Sequence, residues 1–351
     1  MGASMNVIVH RVAVWSSLVG ALFNVDHLYA AEQAKSVYLL GATASMAGMT
    51  PPPGTYVSSF AYLYSGDATG AAALSRTIPK TGTVLPGFVT LQANADMSVK
   101  ANVALDVFSV LWVAPQKILG GDFGVGALLP VGYQEVDVNV NARTALTFPN
   151  GTVLQRSGSL GISDHTFAIG DPLATAFIGW NSGNWHWKVA GLVNVPVGEY
   201  ERTNLVNMGF NRWAADLTGS ATWLDLKSGF EVSLAAGFTF NGENPDTNYK
   251  TGTEFHLEGA VMKHFSKEFA VGIAGYHYKQ VTGDSGSGAV LGAFKGEVSA
   301  IGPNLTYNFQ VGKVPVLTSF RWLHEFNATN RLQGDAGFVT VTIPLTGAPA
   351  H

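Results

Sequence analysis

The sequence predicts an all-β protein: a transmembrane antiparallel β-barrel of about twelve strands, of the outer-membrane type. Three observations carry that prediction. Apolar and polar residues alternate over runs of about ten residues or more, the span a tilted strand needs to cross a bilayer; strands of soluble proteins are mostly about 5–6 residues long. Short and long connections alternate along the chain, as in barrels with tight periplasmic turns and longer external loops. Tryptophans gather beside the short turns, where an aromatic girdle would meet the membrane interface.

Composition narrows the classes. Only 13% of the 351 residues are charged, about half the ~25% usual in soluble domains. The net charge of -4 offers no basic field for nucleic acid. The absence of cysteine excludes disulfides, thiolate metal sites and cysteine nucleophiles. No cofactor is expected.

In chain order, residues 1–31 read as a secretory signal peptide. His10 and Arg11 precede the apolar run VAVWSSLVGALF, and the small-residue region HLYAAEQ follows, with cleavage expected after Ala30 or Ala31. The run is too short for the ~20 residues of a spanning helix. Residues 32–53 form an N-terminal segment. Its stretch SVYLLGATASMAGM is too apolar for a free periplasmic tail. It is expected to fold into the lumen as a plug or constriction through Val37, Tyr38, Leu39, Leu40, Met46 and Met49; a disordered tail is the alternative. Pro51 to Pro53 stiffen the chain without internal hydrogen bonds. Gly54 then allows the bend into a first strand carrying Tyr56, Phe60, Tyr62 and Tyr64.

Residues 54–346 are expected to form the barrel. In RWAADLTGSATWLD, Trp213, Ala215, Leu217, Gly219, Ala221 and Trp223 share one face, opposite Asp216, Thr218, Ser220 and Thr222. In FEVSLAAGFTFN, Phe230, Val232, Leu234, Ala236, Phe238 and Phe240 oppose Glu231, Ser233, Thr239 and Asn241. In EFHLEGAV, Phe255, Leu257, Gly259 and Val261 oppose Glu254, His256 and Glu258. A water-filled lumen tolerates such mid-strand charge, whereas a packed sandwich core does not. Short turns are expected at 181–184, 225–229, 266–268 and 310–313, with a somewhat longer one at 114–121. Longer polar connections are expected at 66–98, 136–172, 199–210, 241–252, 283–292 and 327–334. Trp112, Trp180, Trp185, Trp187 and Trp223 lie within a few residues of the short turns. Residues 347–351 form a C-terminal tail.

The charged strand residues are expected to line the lumen. They are Lys100, Asp106, Lys188, Arg212, Asp216 and Glu231, followed by Glu254, His256, Glu258, Lys295, Glu297, Arg321 and Glu325. Mixed signs argue for interstrand ion pairs and modest selectivity rather than a strongly charge-selective pore. Glu254, His256 and Glu258 alternate on one face about 7 Å apart. They suit a charged wall better than a metal site, with Lys188, Arg212, Lys295 and Arg321 as partners. GDSGSG at 283–288 resembles a serine-protease nucleophile motif, but its Gly/Ser-rich setting reads as a loop. An outer-membrane phospholipase needs a serine and a histidine in hydrogen-bond reach at the outer rim, facing lipid. His324 lies in RWLHEF beside Arg321 and Glu325, and no serine is placed with it by the sequence.

Several stretches resemble the MetA-pathway of phenol degradation family of outer-membrane transport proteins. They are YLLGATASMAGMTPPPGTY, PQKILGGDFG, IGDPLATAFIGWNSGNWHW, NVPVGEYERTNLVNMGFNRW, GFEVSLAAGFTFNGENPDTNYKTGTEFHLEGAV and IGPNLTY, collinear over the mature chain. The resemblance implies an outer-membrane β-barrel associated with catabolism of aromatic or other hydrophobic compounds, and a role in their uptake. It supplies no catalytic residues. Barrels of this kind usually end on an aromatic residue recognised by the assembly machinery. Here the last strand reaches Leu345 and continues as TGAPAH, so Leu345 is the candidate for that role.

The expected function is therefore an outer-membrane channel for small hydrophobic or aromatic molecules. Its expected partners are outer-membrane lipid, a small hydrophobic solute and the barrel-assembly machinery, with no nucleic acid. The alternatives are a structural or surface-interaction barrel with a plugged lumen, a phospholipase, and a secreted soluble β protein.

Overall fold

In the computed structural model, which describes residues 35–80, 87–148, 150–289 and 292–346, the chain is strand over most of its length. The first eight strands are β1 (Gly54–Lys80), β2 (Gly87–Val113), β3 (Asp122–Thr147), β4 (Val153–Ile169), β5 (Leu173–Ser182), β6 (Trp185–Asn194), β7 (Ala214–Asp225) and β8 (Phe230–Asn241). The rest are β9 (Glu243–Asn244), β10 (Tyr249–Lys250), β11 (Glu254–His264), β12 (Phe269–Gln280), β13 (Glu297–Tyr307), β14 (Phe309–Val311), β15 (Val314–Thr329) and β16 (Gln333–Thr346). The expected signal peptide and C-terminal tail lie outside the described residues.

Twelve of these strands close into a ring. Their order is β13, β12, β11, β8, β7, β6, β5, β3, β2, β1, β16 and β15, and β15 pairs back onto β13. Every junction is antiparallel. Closure satisfies each strand's backbone groups within the sheet, which a bilayer demands. The remaining four strands stand outside the ring. β4 pairs with β3, β14 with β15, and β9 with β10.

The twofold side-chain period sorts the residues between lipid and lumen. In β8 every even-to-odd step changes environment: Phe230, Val232, Leu234, Phe238 and Phe240 are exposed, while Glu231, Ser233, Thr239 and Asn241 are buried. β7 and β11 follow the same rule. At the short-turn end Trp180 faces Trp187 across β5–β6, and Trp185 faces Trp223 across β6–β7. Together with Trp112 they form an outward aromatic belt.

Two expected connections are strand instead. β1 and β2 stay paired from Gly54↔Val113 to Lys80↔Gly87, through most of 66–98. β3 and β4 stay paired from Val131↔Ile169 to Thr147↔Val153, through most of 136–172. The 27 residues of β1 span roughly 90 Å at about 3.3 Å per residue, against about 30 Å of hydrocarbon. Beyond the bilayer the outer face of such a ribbon meets water in place of lipid, while Ala95 and Val140 still keep the inner face of β2–β3 buried. The hydrophobic alternation that marks a strand therefore fades while the pairing continues. The β4–β5 break falls at Gly170–Pro172, where the Gly170 N–H turns to the Pro130 carbonyl and β3 exchanges its β5 partner for β4. Proline in a central strand belongs at such an interruption.

Candidate solute pathway

Residues 35–50 lie inside the ring, gripped mainly by their backbone. Irregular chain offers N–H and C=O groups that need partners when buried, and the buried charges of the barrel wall need donors or acceptors of their own. The two needs meet. Glu258 accepts from the Gly41 N–H at 2.6 Å and from the Thr43 N–H at 2.8 Å, and Arg321 donates to the Gly41 carbonyl. Glu231 accepts from the Met46 N–H at 2.6 Å and from the Ser45 hydroxyl at 3.0 Å, and His264 Nε2 lies 2.7 Å from its second oxygen. Ser220 donates to the Ala47 carbonyl at 2.8 Å, Thr222 accepts from the Gly48 N–H at 2.9 Å, and Lys188 donates to the Met49 carbonyl at 3.4 Å.

Close approach needs glycine at two points. Gly41 has φ +84°, and a Cβ there would lie 2.8 Å from the Phe338 ring. At Gly48 a Cβ would lie 2.5 Å from the His186 carbonyl oxygen. At the inner end of the segment, Tyr38 stacks on His256 with ring centroids 3.6 Å apart. His256 Nε2 lies 3.0 Å from Asp216, which also accepts from Thr218 at 2.6 Å and Thr239 at 2.7 Å.

Beyond Tyr38, Leu39 and Leu40 the lumen opens into a cavity of about 530 Å³. One side is aliphatic: Val99, Ala101 and Val103 from β2, with Val136 and Val138 from β3, interrupted by Gln134. Beside it on the neighbouring β1 lie Tyr62 and Tyr64, and Tyr276, Glu325 and Arg331 complete the lining. Glu325 is held by Tyr64 at 2.8 Å, by Tyr276 at 2.5 Å and by the Gly334 N–H at 2.9 Å.

The family model for the MetA-pathway of phenol degradation matches residues 80–341. The chain belongs to this family. Among solved structures it is similar to the COG4313 outer membrane channel from Pseudomonas putida, with 15% identity over 88% of this chain and 99% of that one and a TM-score of 0.59. A FadL homologue from Pseudomonas aeruginosa is more distant, with 9% identity over 83% and 90% and a TM-score of 0.37. The CymD monoaromatic hydrocarbon channel has 10% identity over 92% and 99% and a TM-score of 0.32. The first likeness shows the fold, and the other two are too remote to add to it. No curated protein matches the chain. A closed barrel with an apolar outer face and an aromatic belt, in this family, is a Gram-negative outer-membrane protein.

In this phenol-degradation family barrel, nine of the thirteen expected lumen residues face inward: Lys188, Arg212, Asp216, Glu231, Glu254, His256, Glu258, Arg321 and Glu325. The other four do not. Lys100 and Asp106 fall on the outer face of β2, because Val99, Ala101, Val107 and Val113 take its inner positions. Asp106 is satisfied there by the Ser59 hydroxyl at 2.9 Å. Glu297 is also on the outer face, paired with Lys279 at 2.9 Å, since Val298 and Ala300 point inward. Lys295 precedes β13 at the rim and donates to the Val281 carbonyl. The expected ion-pair wall is mostly a wall of carboxylates bound to neutral donors. In the N-terminal segment Val37 and Leu40 are buried, Tyr38, Leu39 and Met49 are half-buried, and Met46 is exposed with φ +56°.

The remaining motifs resolve into local structure. Asp284 of GDSGSG accepts from Tyr249 and Gln280 at 2.5 Å and from the Gly252 N–H at 3.0 Å, which pins a loop. Among the described residues no group of three or more His, Cys, Asp or Glu side chains could hold a metal ion. His324 bonds to Asp335 at 2.9 Å. Sequence reasoning missed a different pair: Ser299 Oγ lies 3.0 Å from His277 Nδ1, on the outer face of β12–β13. Glu297 is 3.9 Å from the other ring nitrogen, too far for an orienting hydrogen bond.

Proposed function

We propose that this barrel is an outer-membrane channel that takes up small hydrophobic molecules, aromatic ones included. The observation that carries the reading is the cavity, lined by an aliphatic strip and by tyrosines, inside a closed membrane barrel. Binding sites for apolar solutes have this form, mostly apolar lining with a few polar groups that fix orientation. Residues 35–50 act as the plug that floors the cavity and separates it from the periplasmic end. The chemistry is non-covalent, and the barrel reaches its membrane through the barrel-assembly machinery.

The decisive measurement is uptake. A deletion strain is expected to take up aromatic substrates more slowly than wild type, and liposomes carrying the purified barrel are expected to show solute flux. Wild-type uptake together with silent liposomes rejects the channel. Removing residues 35–49 is expected to raise single-channel conductance; unchanged conductance rejects the plug.

The Ser299–His277 pair favours a second, weaker reading as a lipid-facing hydrolase. The long distance to Glu297 counts against it. Phospholipid turnover that disappears in Ser299→Ala would establish it.

A further inference from the structure

Arg331 borders the cavity from the turn between β15 and β16. Its guanidinium carbon lies 4.3 Å from the centroid of the Tyr278 ring. Its Nη1 is buried without a hydrogen-bond partner. Among the described residues Arg331 makes no hydrogen bond, and no carboxylate oxygen lies within 4.0 Å of its nitrogens.

The nearby carboxylates are already engaged. Glu325 accepts from Tyr64, Tyr276 and the Gly334 N–H. Glu254 accepts from Tyr278 at 2.7 Å and Asn241 at 2.9 Å. A guanidinium is always charged and carries five donors, so this one has donors to spare. Leaving a buried donor unused is costly. Bringing in an anion has a cost as well, because Glu254 and Glu325 together outweigh the single charge of Arg331.

We propose that the cavity selects neutral apolar compounds bearing one hydroxyl or carbonyl oxygen. That oxygen accepts from Arg331, and the hydrocarbon body lies on the aliphatic strip around Val99 and Val138. A hydroxyl group gains a second bond. The protons of Tyr64 and Tyr276 point to Glu325, so their oxygens are left to accept the proton of the ligand. A bare hydrocarbon leaves Arg331 unsatisfied. Lys35 and Arg202 also border the cavity, so a preference for anions is the competing outcome.

This inference rests on the uptake reading, and the test separates the two. Titration calorimetry on the full-length barrel in detergent compares 4-ethylphenol, ethylbenzene and 4-ethylbenzoate. The phenol is expected to bind about tenfold more tightly than either of the others, the scale of one charge-assisted hydrogen bond. Arg331→Met is expected to reduce the phenol to the affinity of the hydrocarbon, with ethylbenzene changed less than twofold. Equal binding of phenol and hydrocarbon to wild type, tighter binding of the benzoate, or an unchanged preference in Arg331→Met overturns the proposal. The wild-type comparison stands if the variant fails to fold. Liposome flux decides the rest. Equal protein-dependent rates for phenol and hydrocarbon overturn the selectivity and leave uptake intact. No protein-dependent rate for either overturns uptake itself.

Discussion

The two halves of the lumen are built on opposite principles. The β7–β8–β11 side presents Asp216, Glu231, Glu254, His256 and Glu258, each buried and each hydrogen-bonded. The β2–β3 side presents Val99, Ala101, Val136 and Val138. Hydrogen bonds are directional, so the first side fixes what it touches in one register. Apolar contact is non-directional and roughly proportional to area, so the second side lets a molecule lie in many positions. One half grips the N-terminal segment, and on the uptake reading proposed above the other is the face along which a solute slides.

The contrast is broken most severely at Glu258. Glu258→Ala leaves the Gly41 and Thr43 N–H groups without their acceptor and Arg321 without a nearby counter-charge. Removing one partner of a buried charged network costs about 3–5 kcal/mol. The expected result is a loosened segment, seen as larger and noisier single-channel currents. Gly48→Ala attacks the same half by volume, since the new Cβ meets backbone on two sides. Overpacking of this kind costs about 1–3 kcal/mol, and limited proteolysis is expected to cut residues 35–50 faster.

Val138→Asn tests the other half. It removes about 1.5 kcal/mol of apolar contact, so flux of an apolar solute into liposomes is expected to fall about tenfold while ion conductance stays at the wild-type level. A matching rise in ion conductance would mean that the two halves are not independent. Lys188→Ala is the smallest change. Its bond to the Met49 carbonyl is long at 3.4 Å, and its loss is expected to cost under ~1 kcal/mol. A conductance rise as large as that of Glu258→Ala would show that the grip is not carried by the carboxylates.

Legibility in the sequence follows the membrane. Where one face meets lipid and the other the lumen, as in Phe230–Asn241, the period of two is written plainly and predicts both strand and facing. Where β1–β4 leave the bilayer, the outer face meets water in place of lipid, polar residues take both faces more often, and the ribbons read as loops. The assignment of every mid-strand charge to the lumen failed at Lys100 and Glu297, because charge near a rim can face outward toward water or a cross-strand partner, and at Asp106, midway up the wall, where the Ser59 hydroxyl and the Phe60 N–H satisfy the carboxylate on the outer face. Tyr276 and Tyr278 were open to detection, because β12 places them opposite Glu258 and His256. Arg331 was not, because it sits in a turn and only the folded ring brings it over Tyr278.

The grip on residues 41–49 has a consequence for ancestry. Its contacts reach main-chain groups at Gly41, Thr43, Met46, Ala47, Gly48 and Met49. Every amino acid except proline carries the same N–H and C=O, so away from Gly41 and Gly48 the lock is blind to most spelling changes in its key. Mutation is therefore freest at Leu39, half-buried at the cavity's edge, while Val37, Tyr38 and Leu40 stay packed against the barrel that seats the segment. A lineage can change its diet at that edge without having to relearn how to close the door.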